Sequence, residues 1–146
     1  MAVTRGQVRA WRTILALGAC LLCAGHLAAQ GPRQSLVQET AREWLAATDR
    51  GDAAQSWKSA GQQFRHAISA AQWAQSLRKV RPPLGAVQER TLLSTKFSKT
   101  IPGAPDGDYA LVVFRSRFEH KALSQETIVL QREADGVWRV TGYTIR

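Results

Sequence analysis

Cysteine is nearly absent from this sequence, with two in 146 residues, Cys20 and Cys23, both close to the start. That excludes a disulfide framework and a thiolate metal site from the rest of the chain, so an apolar core must supply the stability. Acidic residues are missing as well, with none before Glu39. No uninterrupted apolar run reaches the roughly 20 residues that a membrane-spanning helix needs. Internal repeats and low-complexity tracts are lacking. No nucleophile motif occurs, and the scattered serines, acids and histidines suggest no Ser-His-Asp or Cys-His arrangement.

What stands at the start is a pattern of its own. Arg5, Arg9 and Arg12 lead into an apolar stretch from Thr13 to about Ala29, broken only by Gly18, Gly25 and His26 and closing on Leu27-Ala28-Ala29-Gln30. A basic lead, a short apolar run and small residues at the break define a secretory signal peptide, with cleavage expected after Ala29. Leu17-Gly18-Ala19-Cys20 also resembles a bacterial lipoprotein box, in which Cys20 would be lipidated, but apolar sequence continues past it. The plainer reading makes both cysteines small apolar residues of the leader. The expected organisation is therefore a signal peptide over 1–29 and one domain over 30–146, placing the protein in the periplasm or outside the cell. Loss of the three leader arginines lowers the formal charge from +9 to +6, because all eleven acids lie beyond them. A moderately basic exported domain favours anionic contacts without implying nucleic acid.

The first half of the domain has helical periodicity. Ser35-Leu36-Val37-Gln38 has capping-box form, and Leu36, Val37, Thr40, Ala41, Trp44, Leu45 and Thr48 follow at spacings of three and four. Asp49-Arg50-Gly51-Asp52 breaks the pattern. A second helix carries Ala53, Trp57, Ala60, Phe64 and Ile68, with Gly61 bending or ending it midway. Ser69-Ala70-Ala71-Gln72 opens a third, with Trp73, Leu77 and Val80 inward and Pro82-Pro83 as its stop.

After Gly85 the period becomes two, predicting strands over about 86–97, 109–119, 122–133 and 137–145. Ala110, Val112, Phe114 and Phe118 share one face of the second strand, and Leu111, Val113, Arg115 and Arg117 the other. Ser98–Asp108 is a loop, Ala134-Asp135-Gly136 a tight turn, and Gly142 suits a bulge. The expected fold is α+β, three helices packed on one face of a four-stranded antiparallel sheet.

Several of these segments match a known pattern in order. Trp44-Leu45, Asp49-Arg50-Gly51-Asp52, Ser56-Trp57, Gln72-Trp73, Leu77-Arg78, Arg81-Pro82, Leu84-Gly85, the run 102–107 and Trp138-Arg139-Val140-Thr141-Gly142-Tyr143 resemble an uncharacterised bacterial family, domain of unknown function number 4019. The resemblance covers nearly all of the domain. It implies a layout similar to cystatin-like and NTF2-like cones, in which a curved sheet wraps helices and often leaves a pocket. It carries over no catalytic residue, because the family has no established activity, and architecture does not fix function.

A pocketed cone can host acid–base chemistry of the ketosteroid-isomerase kind, which needs a carboxylate in an apolar cavity and a hydroxyl to steady an enolate. Glu126 is the candidate carboxylate, with Ile128 and Leu130 on its face, and Tyr109 or Tyr143 the candidate hydroxyl. The plainer alternative puts Glu126 on a solvated strand end, or pairs it with Arg115 or Arg117. His66 and His120 lack the companions of a metal site. Trp44, Trp57, Phe64 and Trp73 have core spacing, with a ligand-stacking box as the alternative. Arg78, Lys79 and Arg81 suit the end of a helix dipole, or could join Arg90, Lys96 and Lys99 in a basic patch for anionic lipid, glycan or an acidic partner. The leading expectation is a non-enzymatic module that binds a small molecule or a protein, with no cofactor. The alternatives are an enzyme based on Glu126 and a homodimer joined through the sheet.

Overall fold

The computed structural model describes residues 24–146, with side chains from Gly31 onward. The arginines and cysteines of the expected leader lie outside the described residues. No described helix is long and apolar enough to cross a membrane. Four helices precede four strands: α1 Ala24–Asp49, α2 Ala53–Ser59, α3 Gln62–Ala67, α4 Ala70–Leu84, β1 Val87–Ser98, β2 Asp108–Phe118, β3 Lys121–Arg132 and β4 Trp138–Ile145. The strands form one antiparallel sheet in the order β1-β2-β3-β4.

Helix α1 does not start at Ser35. It already includes Gly31-Pro32, and the Ser35 hydroxyl donates 3.0 Å back to the Gly31 carbonyl instead of capping. Gln38, the other half of the expected box, reaches across to Thr95 Oγ1 on β1 at 2.9 Å. Val37, Ala41, Trp44, Leu45 and Thr48 form the buried stripe, while Leu36 is 54% exposed.

The expected second helix is two helices, α2 and α3, separated at Gly61. The Gly61 N–H leaves the helix to donate 2.8 Å to Val140 O on β4. A Cβ at Gly61 would lie 3.0 Å from Glu133 Oε1 and 3.1 Å from Thr141 Cγ2, so a glycine lets this corner sit against the sheet. Helix α4 opens with the expected capping box between Ser69 and Gln72. It does not stop before Pro82-Pro83, however. Both prolines are taken into its last turn, and the stop comes at Gly85, with φ 72° and its N–H returned to Pro82 O.

The strands match the period-two reading to within a residue or so at each end. Opposite β3, β4 pairs Gly142 with Val129 but Val140 with Leu130, leaving Thr141 as the extra residue of a bulge beside Gly142. The Ala134-Asp135-Gly136 turn forms, with Gly136 at φ 81°.

The helices cover one sheet face. Trp44, Phe64 and Trp73 from α1, α3 and α4 meet with ring centroids 5.1–5.9 Å apart, and Tyr143 of β4 joins 5.3 Å from Trp44. These tryptophans pack the core, with Trp57 half-buried at its edge.

Candidate functional site

Four charged side chains from four elements meet beneath this aromatic cluster. Trp73, Leu77 and Arg81 follow one another four residues apart along the inner stripe of α4. That spacing carries Arg81 inside, to 6% exposure, with its guanidinium 4.8 Å from the centre of the Phe118 ring. The residue expected there, Val80, is 41% exposed. Arg90 of β1 stands opposite Ser116 of β2, and Glu126 follows on β3, opposite Phe114. Asp49 is the last residue of α1.

Together they close a ring of alternating charge. Asp49 is paired with Arg81 through Oδ1 and with Arg90 Nη1 through Oδ2, the latter at 2.7 Å. Glu126 Oε2 accepts from Arg90 Nε at 2.7 Å and from the Ser116 hydroxyl. Its other oxygen, Oε1, accepts from the Tyr143 hydroxyl at 2.8 Å and lies 3.5 Å from Arg81 Nη1. The four formal charges cancel, which is what permits Glu126 to be fully buried. Burial, and then the adjacent Glu126 carboxylate, push the Tyr143 hydroxyl well above the usual tyrosine value.

Both plainer readings of Glu126 are overturned. It is neither solvated nor paired with Arg115 or Arg117, which lie on the opposite sheet face, Arg117 pairing with Glu89. Of the two candidate hydroxyls, Tyr143 is in contact with it and Tyr109 is not. Tyr109 stands five residues along β2 from Phe114, roughly 17 Å away at strand rise, and donates to Pro105 O at 2.7 Å. A general base must come within hydrogen-bond reach of a substrate proton. Glu126 lines neither of the two clefts described below.

The basic residues do not form one patch. Arg81 and Arg90 belong to the ring, Lys99 pairs with Asp108, and Arg78, Lys79 and Lys96 are exposed. Both His66 and His120 are exposed, with His120 3.9 Å from Glu119. Among the described residues no three His, Cys, Asp or Glu side chains converge on a common point.

Two clefts flank the end of α1, sharing Arg50 as a wall. One, of about 360 Å³, lies towards α2 and is lined by Thr40, Glu43, Trp44, Gln55 and Ser59 among others. The other, of about 300 Å³, lies towards α4, with Asp49, Leu77, Arg78, Arg81 and Pro82 among its lining. Asp49 and Arg81 therefore belong to both the ring and the surface.

From the sequence alone, Asp49 and Ser116 have no place in a site, and Arg90 has one only in a basic patch. Asp49 looks like part of a helix stop. Arg90 is in phase with Leu92 on the inner side of β1, and Ser116 falls between Phe114 and Phe118 on the inner side of β2. Those phases were the available signals.

The fold and the ring define an α+β protein with helices on one face of an open antiparallel sheet and a buried neutral charge cluster between them. The model of the family described as a protein of unknown function (DUF4019) matches residues 40–143, and the chain belongs to that family. No curated protein matches it. Among solved structures, one from Catenulispora acidiphila, determined at 2.5 Å, is similar at 16% identity with a TM-score of 0.55. The similarity covers 82% of this chain and 94% of the other, and at that identity it is a likeness of fold alone.

Proposed function

We propose that the protein is an exported, non-enzymatic module that binds a small molecule or a protein partner, built on an NTF2-like or cystatin-like cone. The observation that carries this reading is the commitment of Glu126. Both its oxygens are occupied by the chain's own donors, and it opens into neither cleft. The clefts beside it are solvent-facing and lined by mixed polar and apolar side chains, a form suited to holding a ligand. The four helices on one sheet face support the cone, and the basic lead with its Ala28-Ala29 break supports export. A protein partner or second copy would dock on the outer sheet face, where Leu123 is 70% exposed.

The enzymatic alternative draws on one contact, the Tyr143 hydroxyl on Glu126, which resembles a hydroxyl paired with an acid. Two arginines on the same carboxylate weigh against it, because they hold the anion in place. The test is native mass spectrometry of protein recovered from the exported fraction. A polypeptide beginning at Gln30 that retains a small molecule or partner is expected. Turnover of a carbon acid, abolished in a folded Glu126→Gln variant, would overturn the reading.

A further inference from the structure

The cleft towards α4 has a charge excess that the ring does not absorb. Asp49 and Glu126 balance Arg81 and Arg90 one for one. Arg50 and Arg78 line the same cleft, are exposed, and form no ion pair among the described residues. Glu43, which lines the neighbouring cleft with Arg50, forms no ion pair with it. Arg81 also lines this cleft, but its Nη1 is buried against Glu126 Oε1 at 3.5 Å and belongs to the ring. Leu77, Pro82 and Ala86 give the cleft an apolar side.

We propose that this cleft binds the phosphate group of a small phosphate monoester, with Arg50 and Arg78 as its clamps and the apolar side against the organic part. Two uncompensated cations match a group that carries close to two negative charges at neutral pH. Planar guanidiniums suit its oxygens better than ammonium groups do. A volume of about 300 Å³ admits a small organic phosphate. The site rests on the reading of the protein as a binding module and gives that reading a ligand class.

The test is calorimetric titration of the purified protein with inorganic phosphate and with phenyl phosphate at low ionic strength, compared across Arg50→Gln, Arg78→Gln and Lys79→Gln. Arg50 and Arg78 make no ion pair among the described residues, so their change removes no pair that holds the fold, and Lys79 is a charge-matched control one residue away. Saturable binding is expected, weakened about tenfold by each arginine change and little by Lys79→Gln. Tighter binding of phenyl phosphate than of inorganic phosphate places the apolar side in contact with the ester, and equal binding confines the site to the oxyanion; both support the cleft. Absence of saturation by either probe up to about 10 mM overturns the proposal, as does equal weakening by all three variants. Neither result touches the binding-module reading, which fails separately if turnover dependent on Glu126 is found.

Discussion

Arg90 and Glu126 stand on β1 and β3 with β2 between them, and meet at 2.7 Å across the Ser116 hydroxyl. This contact ties non-adjacent strands together by side chains, and Asp49 extends the tie to the end of α1. Neutralising one member leaves an excess charge in a buried place. Glu126→Gln keeps the shape but sets two guanidiniums against Asp49 alone. The expected loss is about 3–5 kcal/mol of unfolding free energy, read from urea denaturation at neutral pH. Combining it with Arg90→Met restores neutrality, so the double variant should lose clearly less than the two single losses added together. Strict additivity would show that the ring is not energetically closed.

Tyr143 gives the ring a pH dependence at the alkaline end. Its hydroxyl is held above the ordinary tyrosine value of 10.0, chiefly by burial and next by Glu126. The neutral phenol is thus favoured in the folded state. Its contribution is complete below about pH 10 and is lost as pH rises from there towards the higher folded-state value. Tyr143→Phe should cost about 1.5 kcal/mol at pH 7, the worth of one hydrogen bond to a charged acceptor. The stability gap between the two proteins should then shrink above pH 10. Denaturant midpoints measured from pH 7 to 11 would check both parts, and a gap independent of pH would refute the assignment.

The sheet was more legible in the sequence than the site. Alternation in Ala110, Val112, Phe114 and Phe118 fixes which face of β2 is inside, because successive side chains in a strand point to opposite faces. Gly142 marked the bulge for a similar reason. The helices were less legible where a local signal competed with tertiary context. Ser35 and Gln38 have the composition of a cap, yet the helix runs through them, and Gln38 is taken up by Thr95. Pro82 and Pro83 mark a helix end, but an end position tolerates them within the final turn. Glu126 was visible as a carboxylate on an apolar face. Its partners come from residues 81, 90, 116 and 143, and no local pattern announces so long-range a convergence. Arg81 was hidden by its type: an arginine at the end of a helix has a sufficient explanation in the dipole, so its four-residue spacing from Leu77 passed unused.

Gly85 ends α4 under two constraints. Its φ is 72°, and a Cβ there would stand 2.8 Å from Glu119 Cβ in the β2–β3 turn. Gly85→Ala should therefore cost about 2–3 kcal/mol through backbone strain and displacement of that turn. Gly31 supplies the contrast. It lies inside α1, with nothing within 4 Å of an added Cβ. In the full chain Gly31→Ala should be neutral or stabilise by up to about 1 kcal/mol through helix propensity, and in a polypeptide beginning at Gln30, where Gly31 is the second residue, it should be neutral. Thermal unfolding of the two variants should shift in opposite directions or, at the least, only Gly85→Ala should lose stability.

Ser56 is the polar pin of the aromatic cluster. It is fully buried, its hydroxyl accepts from Trp73 Nε1 at 2.9 Å and donates to Asp52 O, and its carbonyl accepts from Trp44 Nε1 at 2.8 Å. One residue on α2 thereby orients indoles from α1 and α4. Ser56→Ala spares the carbonyl bond but leaves the Trp73 N–H buried and unpaired, at a cost of about 1–3 kcal/mol. Trp73→Phe removes that donor, so adding Ser56→Ala to it should cost less than Ser56→Ala does alone. Near-ultraviolet circular dichroism supplies an independent readout, since Ser56→Ala should weaken the tryptophan bands while the far-ultraviolet spectrum stays unchanged. Intact tryptophan bands together with an unaltered denaturation midpoint would mean that packing alone fixes the Trp73 ring and that the hydroxyl is dispensable.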